Sequence, residues 1–183
     1  GDLISDVSLY INLDSLNGKN KNNICVKDIN LKCNCNNCNK KTIFSWVNSI
    51  GHAIFDYIEI EIGGILIDKQ YSDWYEIWSE LSLSFDKKNG FNELIGKKNN
   101  YGFNINSFND KLELFVPLKF WFCKNIGLAL PIIALNNHDI RINIKWKQFN
   151  QLWIKTYKDL KSSVPNFEAM LYLNYIYLDI NER

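Results

Sequence analysis

Residues 53–68 read AIFDYIEIEIGGILID. Ile54, Ile58, Ile60 and Ile62 fall on one side of an extended chain, with Phe55, Tyr57, Glu59 and Glu61 on the other. Alternation of this kind predicts a half-buried strand, because successive side chains of a strand point to opposite faces. Gly63-Gly64 between two apolar runs predicts a two-residue hairpin turn, where glycine supplies the positive φ that other residues resist. A hairpin with one apolar face needs a second layer to bury it.

Strands recur on both sides of this hairpin. Leu3–Leu13 alternates with Val7, Leu9, Ile11 and Leu13 on one face. Lys111–Phe122 repeats the pattern with Leu112, Leu114 and Val116, and Pro117 points to a sheet edge or bulge. Asp139–Lys147 alternates most regularly, Ile140, Ile142, Ile144 and Trp146 against Arg141, Asn143, Lys145 and Lys147. Glu168–Asp179 is apolar on both faces, which predicts cover on both sides. Ile58, Ile60 and Ile62 are expected to pack inside, opposite Ile140, Ile142 and Ile144. The one helix predicted with caps follows Ser72, read as its N-cap, with Asp73 and Glu76 in the first turn. Trp74, Ile77, Trp78 and Leu81 share one face at helical spacing. Asp14–Lys41 and Ser84–Asn109 are polar, rich in Asn, Lys and Gly, and read as long insertions, the first with room for one short strand around Ile24–Val26 and the second with a small apolar knot at Phe91–Ile95; Asn17–Lys41 and Asp86–Asn106 are expected to be mobile or to project from the sandwich ends. Thr42–Ile50 and Gln148–Asn166 are ambiguous. With six or seven strands, no βαβ alternation and no repeat, the fold class is all-β: a single antiparallel sandwich domain over residues 1–183.

Composition narrows the function. The chain has 183 residues, 21 basic against 20 acidic, for a net charge of +1. It shows no basic stripe of the kind nucleic-acid binding needs. No run approaches the roughly 20 apolar residues of a membrane-spanning helix, and the first residues, GDLISDVSLYINL, alternate like a strand, so they are not expected to be a signal peptide. Lys119–Leu135 (KFWFCKNIGLALPIIAL) is the greasiest stretch, but Lys124, Asn125, Gly127 and Pro131 interrupt it. It belongs in a core or an interface. Phe120, Trp121 and Phe122, if extended, would point large rings to both faces.

Taken together, four blocks carry a resemblance: HAIFDYIEIEIGGILIDKQYSDWYEIWSEL (52–81), LELFVPLKFWFCKNIGLALPIIAL (112–135), HDIRINIKW (138–146) and LNYIYLDINER (173–183). In this order they resemble the major capsid proteins of nucleocytoplasmic large DNA viruses. The resemblance implies the first of two tandem jelly rolls, without its N-terminal strand and without the second jelly roll. It implies a structural, non-enzymatic role in the icosahedral capsid of a virion assembled in the host cytoplasm. The partners it implies are the chain itself, as a homotrimer forming a pseudo-hexameric capsomer, then neighbouring capsomers and minor capsid proteins. Trp121, Leu128, Leu130 and Ile132 are expected on a contact face. A minor capsid or lectin-like binding module is the alternative.

Few residues suggest chemistry. Cys25, Cys33, Cys35 and Cys38 could supply four thiolates to zinc, but the usual two-knuckle spacing is absent, and no cofactor is expected. Cys123 reads as a small buried hydrophobe. His52 and His138, the only histidines, are too few for a cupin-type metal site. Asp56, Glu59 and Glu61 could suggest a carboxylate pair, but alternate acids on a strand usually mark a solvated or interface face. Trp74, Trp78 and Trp121 could form a sugar platform, though the helical spacing of the first two favours core or subunit contacts. No catalytic residue is expected.

Overall fold

The computed structural model describes residues 1–15, 18–19, 44–98, 111–155, 161–162 and 165–180. Its strands and helices, in chain order, are β1 (Leu3–Leu13), β2 (Gly18–Lys19), β3 (Phe44–Trp46), α1 (Ile50–Ala53), β4 (Phe55–Ile62), β5 (Ile65–Tyr71), α2 (Ser72–Ser82), α3 (Phe85–Leu94), β6 (Leu112–Pro117), β7 (Leu130–Pro131), β8 (Ile140–Trp146), β9 (Trp153–Lys155), β10 (Lys161–Ser162) and β11 (Phe167–Ile176). One sheet has the order β11-β1-β6, with β7 also on β1; a second has the order β5-β4-β8; β3-β9 and β10-β2 are short pairs. Every pairing among the described residues is antiparallel. The fold is the all-β jelly-roll sandwich that the strand pattern and the resemblance implied.

The alternating residues build the core. Val7, Leu9, Ile11 and Leu13 of β1, Leu114 and Val116 of β6, and Ile58 and Ile60 of β4 are all buried in one cluster shared by the two main sheets. Burying a side chain of this size contributes about 1.5–3 kcal/mol. Gly63 and Gly64 have φ of 59° and 79°, so the predicted hairpin closes with both central residues left-handed. A Cβ on Gly63 would lie 2.8 Å from the His138 ring, so the backbone there must also stay bare.

Several expectations are corrected. Phe55 shares the core with Ile58, not the opposite face, because a register shift between Phe55 and Tyr57 against β8 inserts one residue. Such a bulge reverses the alternation on one side of it. Ile58, Ile60 and Ile62 face Ile144, Ile142 and Ile140 as neighbours within one sheet, and the β8 isoleucines are only partly buried because β8 is an edge strand. Residues 118–123 are not strand. Trp121–Cys123 is a 3-10 turn, which lets Phe120 and Phe122 both reach the core and stack at 5.8 Å. Residues 85–94 of the second insertion form a helix, and its apolar knot is packed, with Phe91, Asn92 and Ile95 buried. β11 is not covered on both sides. Leu171 and Leu173 pack on the core, while Met170, Tyr172 and Tyr175 are exposed. Residues 20–41 of the first insertion and 99–109 of the second lie outside the described residues.

Candidate assembly surfaces

Helix α2 sits with its apolar face outward. Ser72, Tyr75 and Ser79 are buried, whereas Trp74, Ile77 and Leu81 are 45%, 52% and 82% exposed. The spacing predicted the helix correctly but not which face it buries. The Ser72 hydroxyl does not cap it. Tyr71 occupies the N-cap position, and Ser72 accepts a hydrogen bond from Lys147 Nζ at 2.9 Å.

The buried side is Ser72, Tyr75 and Ser79, and a partly exposed ion network runs along its margin. His52, buried on α1, donates from Nδ1 to Glu76 Oε2 at 2.9 Å; an ionised carboxylate can only accept, which fixes this tautomer. Lys97, just past α3, donates to Glu76 and also to Glu80 Oε1 at 2.5 Å, and Lys88 reaches Glu80 Oε2 at 2.5 Å. The His52 hydrogen bond, then Lys97, holds the Glu76 carboxyl down at about 2. Tyr75 wedges beneath, edge-on to Phe55 at 5.1 Å, and burial pushes its phenol far above the ordinary range. Ser72 and Ser79 are small enough to let the helix approach closely.

The β4–β5 hairpin carries exposed apolar side chains of its own. The register of β4 with β5 slips between Ile60 and Glu61, leaving Ile67 without a cross-strand partner. Ile65, Leu66, Ile67 and Tyr71 are all exposed. Lys119 caps the half-buried Trp78, its Nζ 4.0 Å from the ring, and burial lowers its pKa.

The other sequence candidates scatter. Of the proposed contact face, Leu128 is exposed and Trp121 and Ile132 are half-buried, but Leu130 is buried, since its strand pairs with β1. Asp56 pairs with Lys145 at 3.3 Å and Glu59 with Lys69 at 3.2 Å, so these acids serve cross-strand ion pairs, not each other. His138 stands at the β4–β5 turn, far from the His52 network in the chain. Cys123 is partly buried, and that burial raises its thiol pKa. Cys25, Cys33, Cys35 and Cys38 lie outside the described residues. Among the described residues no group of His, Cys, Asp and Glu has metal-holding geometry, and no helix is long and apolar enough to cross a membrane. The outward turn of α2 was missed because periodicity marks an apolar face without saying what covers it.

The family model described as "Major capsid protein N-terminus" matches residues 1–179. The chain belongs to that family. Among similar proteins are Capsid protein 1 of Acanthamoeba polyphaga mimivirus, 39% identical over 152 residues, covering 76% of this chain and 26% of that protein. The Major capsid protein of Pyramimonas orientalis virus is 37% identical over 134 residues, covering 73% of this chain and 32% of that protein. These sources are nucleocytoplasmic large DNA viruses, as the resemblance implied. The chain thus spans about a quarter to a third of the length of these relatives. In fold, this member of the major capsid protein family is similar to PBCV-1 VP54, solved as a crystal structure fitted into a reconstruction of the virophage Sputnik. That match has a TM-score of 0.72 at 23% identity and covers all of this chain and 37% of the other. The Faustovirus major capsid protein matches with a TM-score of 0.61 at 14% identity, over 87% of this chain and 40% of that one.

Proposed function

We propose that the chain is a structural part of a large DNA virus capsid, the first jelly roll of a shell subunit, without catalytic activity. The observation that carries this is the family match, which runs through 179 of the 183 residues. In this reading the subunit associates with copies of itself as trimeric, pseudo-hexameric capsomers, then with neighbouring capsomers and minor capsid proteins, in particles assembled in the host cytoplasm. The outward stripe of α2 and the β4–β5 tip supply apolar contact surface. This reading requires no metal; metal analysis of the purified protein is expected to find no stoichiometric zinc on Cys25, Cys33, Cys35 and Cys38.

Sedimentation and electron microscopy of the expressed protein test the reading. Trimers that persist in high salt, and their assembly into shells, are expected, because apolar contacts are not screened. A folded, monodisperse monomer at micromolar concentration would overturn it.

A further inference from the structure

The outward face of the β11-β1-β6 sheet carries an ordered pattern that neither the core nor α2 explains. The two registers through β1 align side chains in rows across three strands. Glu113, Asn12 and Glu168 form one row; Phe115, Tyr10 and Met170 the next; Pro117, Ser8 and Tyr172 the third. Tyr10, Phe115 and Tyr172 touch mutually, with centroids 4.9, 5.9 and 5.7 Å apart. Phe115, Met170 and Tyr172 are nonetheless exposed. An open sheet face normally alternates to polar residues, so three rings and a methionine there signal a partner.

The adjoining row says what kind of partner. Asn12 Oδ1 is shut off from solvent and has no hydrogen-bond partner among the described residues. It lies beneath the row, so the groups open to an incoming side chain are the two carboxylates. Glu113 and Glu168 flank it from the two neighbouring strands, roughly 10 Å apart by strand spacing. Glu113 has one loose, exposed ion pair, Lys111 at 3.9 Å; Glu168 has none among the described residues. Partial burial first, then Glu113, Tyr172 and Glu168, raise the Tyr10 phenol. Among the described residues the two exposed carboxylates are met only by that loose Lys111 contact.

We propose that this face seats a basic segment of a neighbouring polypeptide in the shell. An arginine or lysine head group lies on the Glu113–Asn12–Glu168 row, and its stem crosses Tyr10, Phe115 and Tyr172. Arginine fits best, since its planar fork can donate to several acceptors while stacking on rings. The carboxylates repel phosphate, which turns nucleic acid away. The rings are tilted 44–87° to one another and so make no flat platform for a sugar. The inference rests on the capsid reading above and goes beyond it by naming the chemistry of one contact.

A cryo-EM reconstruction of particles assembled from the protein tests it directly. Arg or Lys from another polypeptide is expected within hydrogen-bond reach of at least one of the two carboxylates, with its stem against the Tyr10, Phe115 and Tyr172 rings. The double variant Glu113→Gln/Glu168→Gln is expected to raise the concentration needed for assembly about tenfold, the effect of one lost charge-assisted contact. Arg141→Gln, on the other main sheet, is expected to leave it unchanged. The inference is overturned if the face is bare in the particle, if it is covered by an apolar or acidic surface, if a lysine of the same chain fills it, or if the double variant assembles like the wild type. Failure to form any particle would instead overturn the capsid reading and this contact with it.

Discussion

His52 Nδ1 lies 2.9 Å from Glu76 Oε2, and this contact ties α1 to α2 beneath the outward apolar stripe. Glu76 is held at about 2, below its ordinary 4.5, first by the His52 hydrogen bond and then by Lys97. A carboxyl depressed on folding stabilises fully above its unfolded pKa. That contribution fades as pH falls from about 4.5 toward 2. Glu76→Gln is expected to flatten the pH dependence of the denaturant midpoint across that window. At neutral pH it should cost about 1 kcal/mol, a figure discounted because the carboxylate is partly exposed. An unchanged profile between pH 5 and 2 would show that the pair adds nothing to the fold.

Ile60 is fully buried on the central strand of its sheet, and its cross-strand partner Ile142 is only partly buried on an edge. Ile60→Asp is therefore expected to abolish folding, since an unpaired buried carboxylate costs more than the domain's marginal stability allows. Ile142→Asp should cost less and leave a cooperative, lowered thermal transition. Circular dichroism melts of the two variants would rank them.

Trp74, Ile77 and Leu81 are exposed and lie outside the core, so in the capsid reading proposed above they are available for contact. Charged replacements such as Ile77→Lys are expected to change monomer stability by about 0.5 kcal/mol or less while weakening self-association at least tenfold. Analytical ultracentrifugation and melting curves on the same samples separate the two effects. Loss of fold instead of loss of association would show that the stripe is internal packing.

Gly63 and Gly64 differ in what surrounds them. Both have positive φ, which costs an L-residue about 1–2 kcal/mol, but only Gly63 has a ring against its Cβ position. Gly63→Ala is expected to destabilise more than Gly64→Ala in urea unfolding, and His138→Ala should bring the two values together. Equal costs before that second change would exclude the steric contribution.

Much of the sandwich was legible in the sequence because strand periodicity is local. The alternation in Leu3–Leu13 and in Asp139–Lys147, and the Gly-Gly turn, each depend on residues a few positions apart. The four family blocks carried the capsid assignment for the same reason, since each is a contiguous run. Candidate contact residues were only partly legible: Leu128 is exposed as expected, but Leu130 is drawn under by its pairing with β1.

What only the tertiary structure decided involves partners distant in the chain. Periodicity placed Trp74, Ile77 and Leu81 on one face of α2, but the face that is buried carries Ser72, Tyr75 and Ser79, with Tyr75 against Phe55. The inserted residue near Asp56 moved Phe55 into the core, because a bulge is defined only against β8. The row of Glu113, Asn12 and Glu168 exists only through the register of β6 and β11 with β1. Alternation along a single strand shows which residues share a side. It holds no information about which side a second layer covers, because that cover comes from residues distant in the chain, as where Ile11 of one sheet and Ile58 of the other share one buried cluster.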